Sequence, residues 1–112
     1  VREETYARKK EVLKRFLQAY QDSAEWMMRS PQEAAKLAVK HAIDGQNEAI
    51  NLDIIKLRNA ASVSSTTAQR GLGAFDVAAL QKGAQAYKAF GVIQRDIKIS
   101  DVVSQDLLPG KK

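Results

Sequence analysis

Residues 16–39 read FLQAYQDSAEWMMRSPQEAAKLAV, and this stretch decides how the rest of the chain is organised. Leu13, just upstream, and Phe16, Leu17, Tyr20, Ala24 and Met27 recur at steps of three and four, which places them on one helical face. Glu4 with Arg8, and Glu11 with Arg15, are (i, i+4) pairs in the favourable order, so the spacing predicts one long helix over about Glu3–Arg29. Ser30-Pro31-Gln32-Glu33 then signals a new helix start. Ser30 is a capping residue, Pro31 suits the first helical position, and Glu33 completes a capping box. A residue before proline avoids the helical region, which ends the first helix near Arg29. The second helix runs over about 31–43, and Ala34, Ala35, Ala38 and Ala42 permit close approach to a neighbour. Asp44-Gly45 stops it.

Downstream segments read as shorter helices that pack on this pair. A third helix covers about Asn47–Ala61, with a stripe of Ile50, Ile54, Leu57 and Ala61. Residues 62–73 are rich in Ser, Thr and Gly and read as a long loop. Asp76 is placed to cap a fourth helix over about Val77–Phe90, whose face is Val77, Leu80, Ala84 and Tyr87, with Gly91 at its C′ position. Ile97-Lys98-Ile99 alternates and reads as extended, and Ser100 is placed to cap a short last helix through Leu107. The expected fold class is therefore all-α, with about four main helices plus a short C-terminal one. Residues 1–110 form the helical unit and Lys111-Lys112 a loose tail.

The chain has 112 residues, of which 45% are apolar, so a folded core is expected. Aromatic residues are only 6%, which leaves an aliphatic, alanine-rich core with little area per residue. The absence of cysteine excludes disulfides, thiolate metal sites and cysteine nucleophiles. No apolar run is long enough to span a membrane, and no signal peptide is present. A start at Val1 that leads straight into charged helical sequence is expected of a processed chain or of a piece of a larger one. The net charge is +5. The charges crowd the first helix at Arg2, Arg8, Lys9, Lys10, Lys14 and Arg15, but Glu3, Glu4 and Glu11 are interleaved among them. A solvated helix end accounts for that mixture better than a nucleic-acid face does.

Candidate chemistry is sparse. His41 is the single histidine and has no partners at ligand spacing, so no metal site is read. Gly71-Leu72-Gly73 begins like a dinucleotide loop but lacks the third glycine and a preceding strand. Ser64, Ser65, Thr66 and Thr67 group their hydroxyls without a base nearby in sequence. Trp26 lies off the main stripe, as a residue facing a second surface would. No catalytic residue, cofactor site or metal site is assigned, ligand-binding residues are left unassigned, and the chain is read as non-enzymatic.

The order of these features resembles the C-terminal part of periplasmic substrate-binding proteins of ABC importers. The subgroup is the nitrate/sulfonate/taurine type, which shares its fold with thiamine-precursor synthesis proteins. One half of the resemblance rests on Phe16-Leu17, Ala19-Tyr20, Trp26 and Pro31-Gln32-Glu33-Ala34-Ala35. The other rests on the closing run GLGAFDVAALQKGAQAYKAFGVIQRDIKISDVVSQDLLP, from Gly71 to Pro109. It covers about Val12–Pro109, through order and spacing rather than any one diagnostic residue.

The resemblance implies a two-lobed α/β protein of roughly 300 residues, of which this chain is the C-terminal helical portion. It implies capture of a small anionic or heterocyclic solute in the periplasm or another extracytoplasmic space, and delivery to an ABC permease. Most of the solute cleft would lie upstream, and leftover apolar faces would favour self-association. Two other readings stand beside it. One is a free-standing basic helical module for protein or nucleic-acid partners. The other is an enzyme of the related thiamine-precursor group, whose catalytic residues this chain lacks.

Overall fold

The computed structural model describes residues 1–43 and 45–110. Its helices are α1 (Glu3–Arg8), α2 (Lys10–Arg29), α3 (Pro31–His41), α4 (Glu48–Ala61), α5 (Ser65–Arg70) and α6 (Val77–Ala89), followed by a 3-10 turn at Ile99–Asp101. No strand occurs among the described residues, so the chain is all-α, with α2, α3, α4 and α6 as its four main helices. The expected Asp44 stop and the Lys111-Lys112 tail lie outside the described residues.

Several boundaries differ from the sequence reading. The long first helix is broken at Lys9 (φ −127°, ψ 33°). The break falls within a turn of Tyr6, whose hydroxyl is 2.7 Å from both carboxylate oxygens of Asp106 and donates to them. This tie joins α1 to the C-terminal segment.

Ser30 makes no side-chain cap. Its backbone serves two helices at once: its N–H donates to the Trp26 carbonyl, and its own carbonyl accepts from the Ala34 N–H. Glu33 turns to Lys36 at 3.2 Å rather than closing a capping box. Helix α3 ends at His41 because Ala42 is already extended (φ −76°, ψ 144°).

The predicted loop over 62–73 contains α5. Its capping box is built from the hydroxyl-rich run itself. Ser64 Oγ accepts from the Thr67 N–H, and Thr67 Oγ1 accepts from the Ser64 N–H. Gly71 (φ 98°) closes this helix. The short C-terminal helix reduces to the 3-10 turn, preceded by Lys98 rather than capped by Ser100, whose hydroxyl lies 3.3 Å from Asp101.

The ends of α6 match the sequence. Asp76 accepts from the Ala79 N–H, and Gly91 (φ 72°) allows the Gly91 and Val92 N–H groups to reach the Lys88 and Tyr87 carbonyls in a Schellman closure.

The core is small. Ala34 and Ala35 of α3 let that helix approach α4 closely, and Ile55 of α4 fills the contact, with Met27 and Leu52 packed around it. Ala35 is fully buried. The expected α4 stripe faces the other way: Ile50, Ile54 and Leu57 are 57%, 47% and 72% exposed, while Asn51 and Ile55 point inward. This helix carries apolar residues on two opposite faces, and α3 covers only one of them.

The chain is correspondingly open. Its surface is 8685 Å², against about 6,100 Å² for a compact monomer of 12.4 kDa. Its radius of gyration is 17.1 Å, where about 13 Å is usual for this length.

Candidate functional site

A groove of about 340 Å³ lies between α2 and two downstream segments. Leu17, Ala24 and Met28 of α2 form one wall, and Leu72, Phe75 and Leu108 face them. Their spacing explains why the inner face of α2 differs from the predicted stripe. Leu13, Leu17, Ala24, Met27 and Met28 are half-buried, whereas Phe16 and Tyr20 are 64% and 68% exposed and pair with each other, ring centroids 6.4 Å apart.

Side-chain amides fasten the far wall. Gln105 Oε1 accepts from the Phe75 N–H at 2.8 Å. Gln81, on α6, holds the extended segment at both ends: its Nε2 donates to the Ile97 carbonyl and its Oε1 accepts from the Ile99 N–H, each at 2.9 Å.

Gln21 is the functional-looking residue that the sequence reading missed. It is only 4% exposed and borders both the groove and an adjoining hollow of about 250 Å³. Its Nε2 donates to Glu25 Oε1 at 2.9 Å and to the Gly110 carbonyl at 3.0 Å, so it anchors the C-terminal segment to α2. Its Oε1 is buried without a hydrogen-bond partner among the described residues. The only sequence signal for it was position, since Gln21 lies on the Leu17–Ala24–Met28 line of the helix.

Replacing Gln21 by Met keeps the volume and removes the orphaned oxygen, while Glu25 keeps Arg29 3.8 Å away. Met also removes both amide donations, to Glu25 and to the Gly110 carbonyl, so Gln21→Met is expected to release the C-terminal segment from α2 and to destabilise the chain by about 1 kcal/mol, read as a fall in thermal midpoint.

The second cluster joins the chain's two ends. Asp106 accepts from Ser104 and Tyr6, and Lys10 Nζ lies 3.7 Å away and over the Tyr6 ring at 4.8 Å. Hydrogen bonds from Ser104 and then Tyr6, with Lys10 adding its charge, hold the Asp106 carboxyl below the ordinary aspartate range. A carboxylate depressed in the folded state contributes stability that is fully present above its unfolded pKa and is lost as pH falls through its folded value. Tyr6→Phe is therefore expected to raise the Asp106 pKa toward the ordinary value and to narrow this acid-side loss. Carbon-detected NMR titration of the Asp106 carboxyl measures both effects.

The remaining sequence candidates are placed without chemistry. His41 is exposed in the last turn of α3. Among the described residues, no group of three or more His, Asp or Glu residues is arranged to hold a metal ion. The Gly71–Asp76 run closes α5 and caps α6 rather than cradling a phosphate. The Ser64 and Thr67 hydroxyls are occupied in capping, and Trp26 is 38% exposed. The basic first segment is laced with acids, Arg8 with Glu4 at 3.0 Å and Lys14 with Glu11 at 3.8 Å. No helix of the described residues is long and apolar enough to cross a membrane. No protein-family model, curated protein or solved structure matches the chain.

Proposed function

We propose that the chain is the C-terminal helical portion of an extracytoplasmic solute-binding component of an ABC importer, of the nitrate/sulfonate/taurine type. It is a non-catalytic scaffold on which the solute-binding lobes rest. The observation that carries this reading is the surplus surface, about 2,500 Å² beyond a compact monomer, together with the open apolar groove beside α2. A helical layer that leaves this much uncovered is built to be completed by further polypeptide. The resemblance of residues 12–109 supplies the identity of that polypeptide, two α/β lobes upstream. In the intact protein the lobes close on the solute by hinge motion, and the closed form docks on the permease. The helices described here contribute support for the lobes and part of the docking surface.

The test begins with the reading frame upstream of Val1. It is expected to continue through roughly 200 residues of alternating strands and helices, preceded by an export signal. An initiation codon directly before Val1 overturns the proposal. The full-length protein, titrated calorimetrically with nitrate, taurine and a pyrimidine, is expected to bind at least one of them. The 112-residue chain alone is expected to bind none. Binding by the isolated chain, or by neither species, counts against the scaffold role.

A further inference from the structure

The outward stripe of α4 has a register that the groove does not explain. Ile50, Ile54, Leu57 and Ala61 are spaced four, three and four residues apart, which is the d-a-d-a spacing of a coiled-coil seam. All four are exposed. Opposite them on the same helix, Leu52 and Ile55 already pack into the chain's own core. The seam is therefore surplus to the core and not a misplaced part of it. The groove beside α2 shares none of its residues.

Two charges flank the stripe. In the same register Asp53 takes the g position and Arg58 the following e position. Both are exposed, and neither side chain has an ion-pair partner among the described residues, although seven ion pairs form elsewhere. When two copies of a helix pair in parallel about a two-fold axis, the g flank of each faces the e flank of the other, offset by five residues. Asp53 and Arg58 are five apart, so a parallel α4–α4 pairing forms two symmetric Asp53–Arg58 ion pairs. Antiparallel pairing sets like flank against like flank and leaves Asp53 without a cation. Ile at an a position with Leu at a d position is also the combination that favours two parallel strands.

We infer that α4 is the interface of a parallel two-fold dimer of this chain, with Ile54 and Leu57 at the centre of the seam and Asp53–Arg58 pairs on its flanks. Because α4 is only 14 residues long, the pairing depends on α3 and α2 holding it in helical form from behind. The inference does not rest on the importer reading, whose groove lies on a different face.

Sedimentation velocity across a dilution series is expected to show a monomer–dimer equilibrium. Ile54→Asp and Leu57→Asp are each expected to weaken it by about a hundredfold, with helical circular dichroism unchanged because both positions are exposed. Asp53→Arg or Arg58→Asp alone is expected to weaken it by about fivefold, and the two together to restore it. The chain has no native cysteine, so oxidation of a Leu57→Cys variant reports geometry directly: a parallel seam crosslinks Leu57→Cys with itself. A chain that is monomeric throughout overturns the inference. So does a dimer indifferent to Ile54→Asp and Leu57→Asp, a double charge reversal that fails to recover, or crosslinking only between Ile54→Cys and Leu57→Cys copies.

Discussion

Truncating Ile55 to alanine is expected to destabilise the fold by about 3 kcal/mol and to blur its unfolding transition. Ile55 is 8% exposed and is the one large side chain in the buried cluster with Ala34 and Ala35. The alanines cannot move far enough to refill its volume, because the α3 backbone is already close. Small domains hold only about 5–15 kcal/mol in total, and a chain this open sits near the lower end. The loss is then a large share of the whole. Urea denaturation followed by circular dichroism measures it. A fall in midpoint accompanied by a lower slope means that α3 and α4 have separated before the rest unfolds.

The placement of that residue shows what the sequence could and could not reveal. The all-α class was legible because Pro31, Asp76 and Gly91 punctuate the chain with residues whose local chemistry settles helix ends. The alanines of α3 were legible for the same kind of reason, since only small side chains permit close helix contact. The orientation of α4 was not. Its periodicity offers two apolar faces about half a turn apart, and periodicity alone cannot say which one meets the neighbour. The stronger stripe in sequence is Ile50, Ile54, Leu57 and Ala61, yet the inward face is Asn51, Leu52 and Ile55, where the Asn51 amide reaches the Gly45 carbonyl at 2.7 Å. Composition misled over 62–73, because Ser and Thr favour loops and also build capping boxes.

The candidate site was less legible than the fold. Gln21 meets Gly110 and Tyr6 meets Asp106 across nearly the full length of the chain, and no local signal encodes contacts of that kind. What could be read was the surplus: an alanine-rich chain with few aromatics was expected to bury little, and its open surface agrees with that.

Enlarging Ala35 tests the same contact from the opposite side. Ala35 has no exposed surface and lies where α3 crosses α4. A leucine there has no solvent to turn toward, so its added carbons must push α3 off α4 or force Ile55 out of its rotamer. Ala35→Leu alone is expected to cost about 2–3 kcal/mol. If the cost is overpacking at this one contact, removing volume across from it must give some back. The double variant Ala35→Leu with Ile55→Ala is then expected to be more stable than the sum of the single losses by about 1–2 kcal/mol, a coupling that independent sites do not show. Strict additivity would mean that the two side chains do not share a space. The packing of α3 on α4 would then have to rest on Ala34 and the half-buried residues around it, and the α4 face opposite would lose the rigid backing that its pairing with a second copy requires.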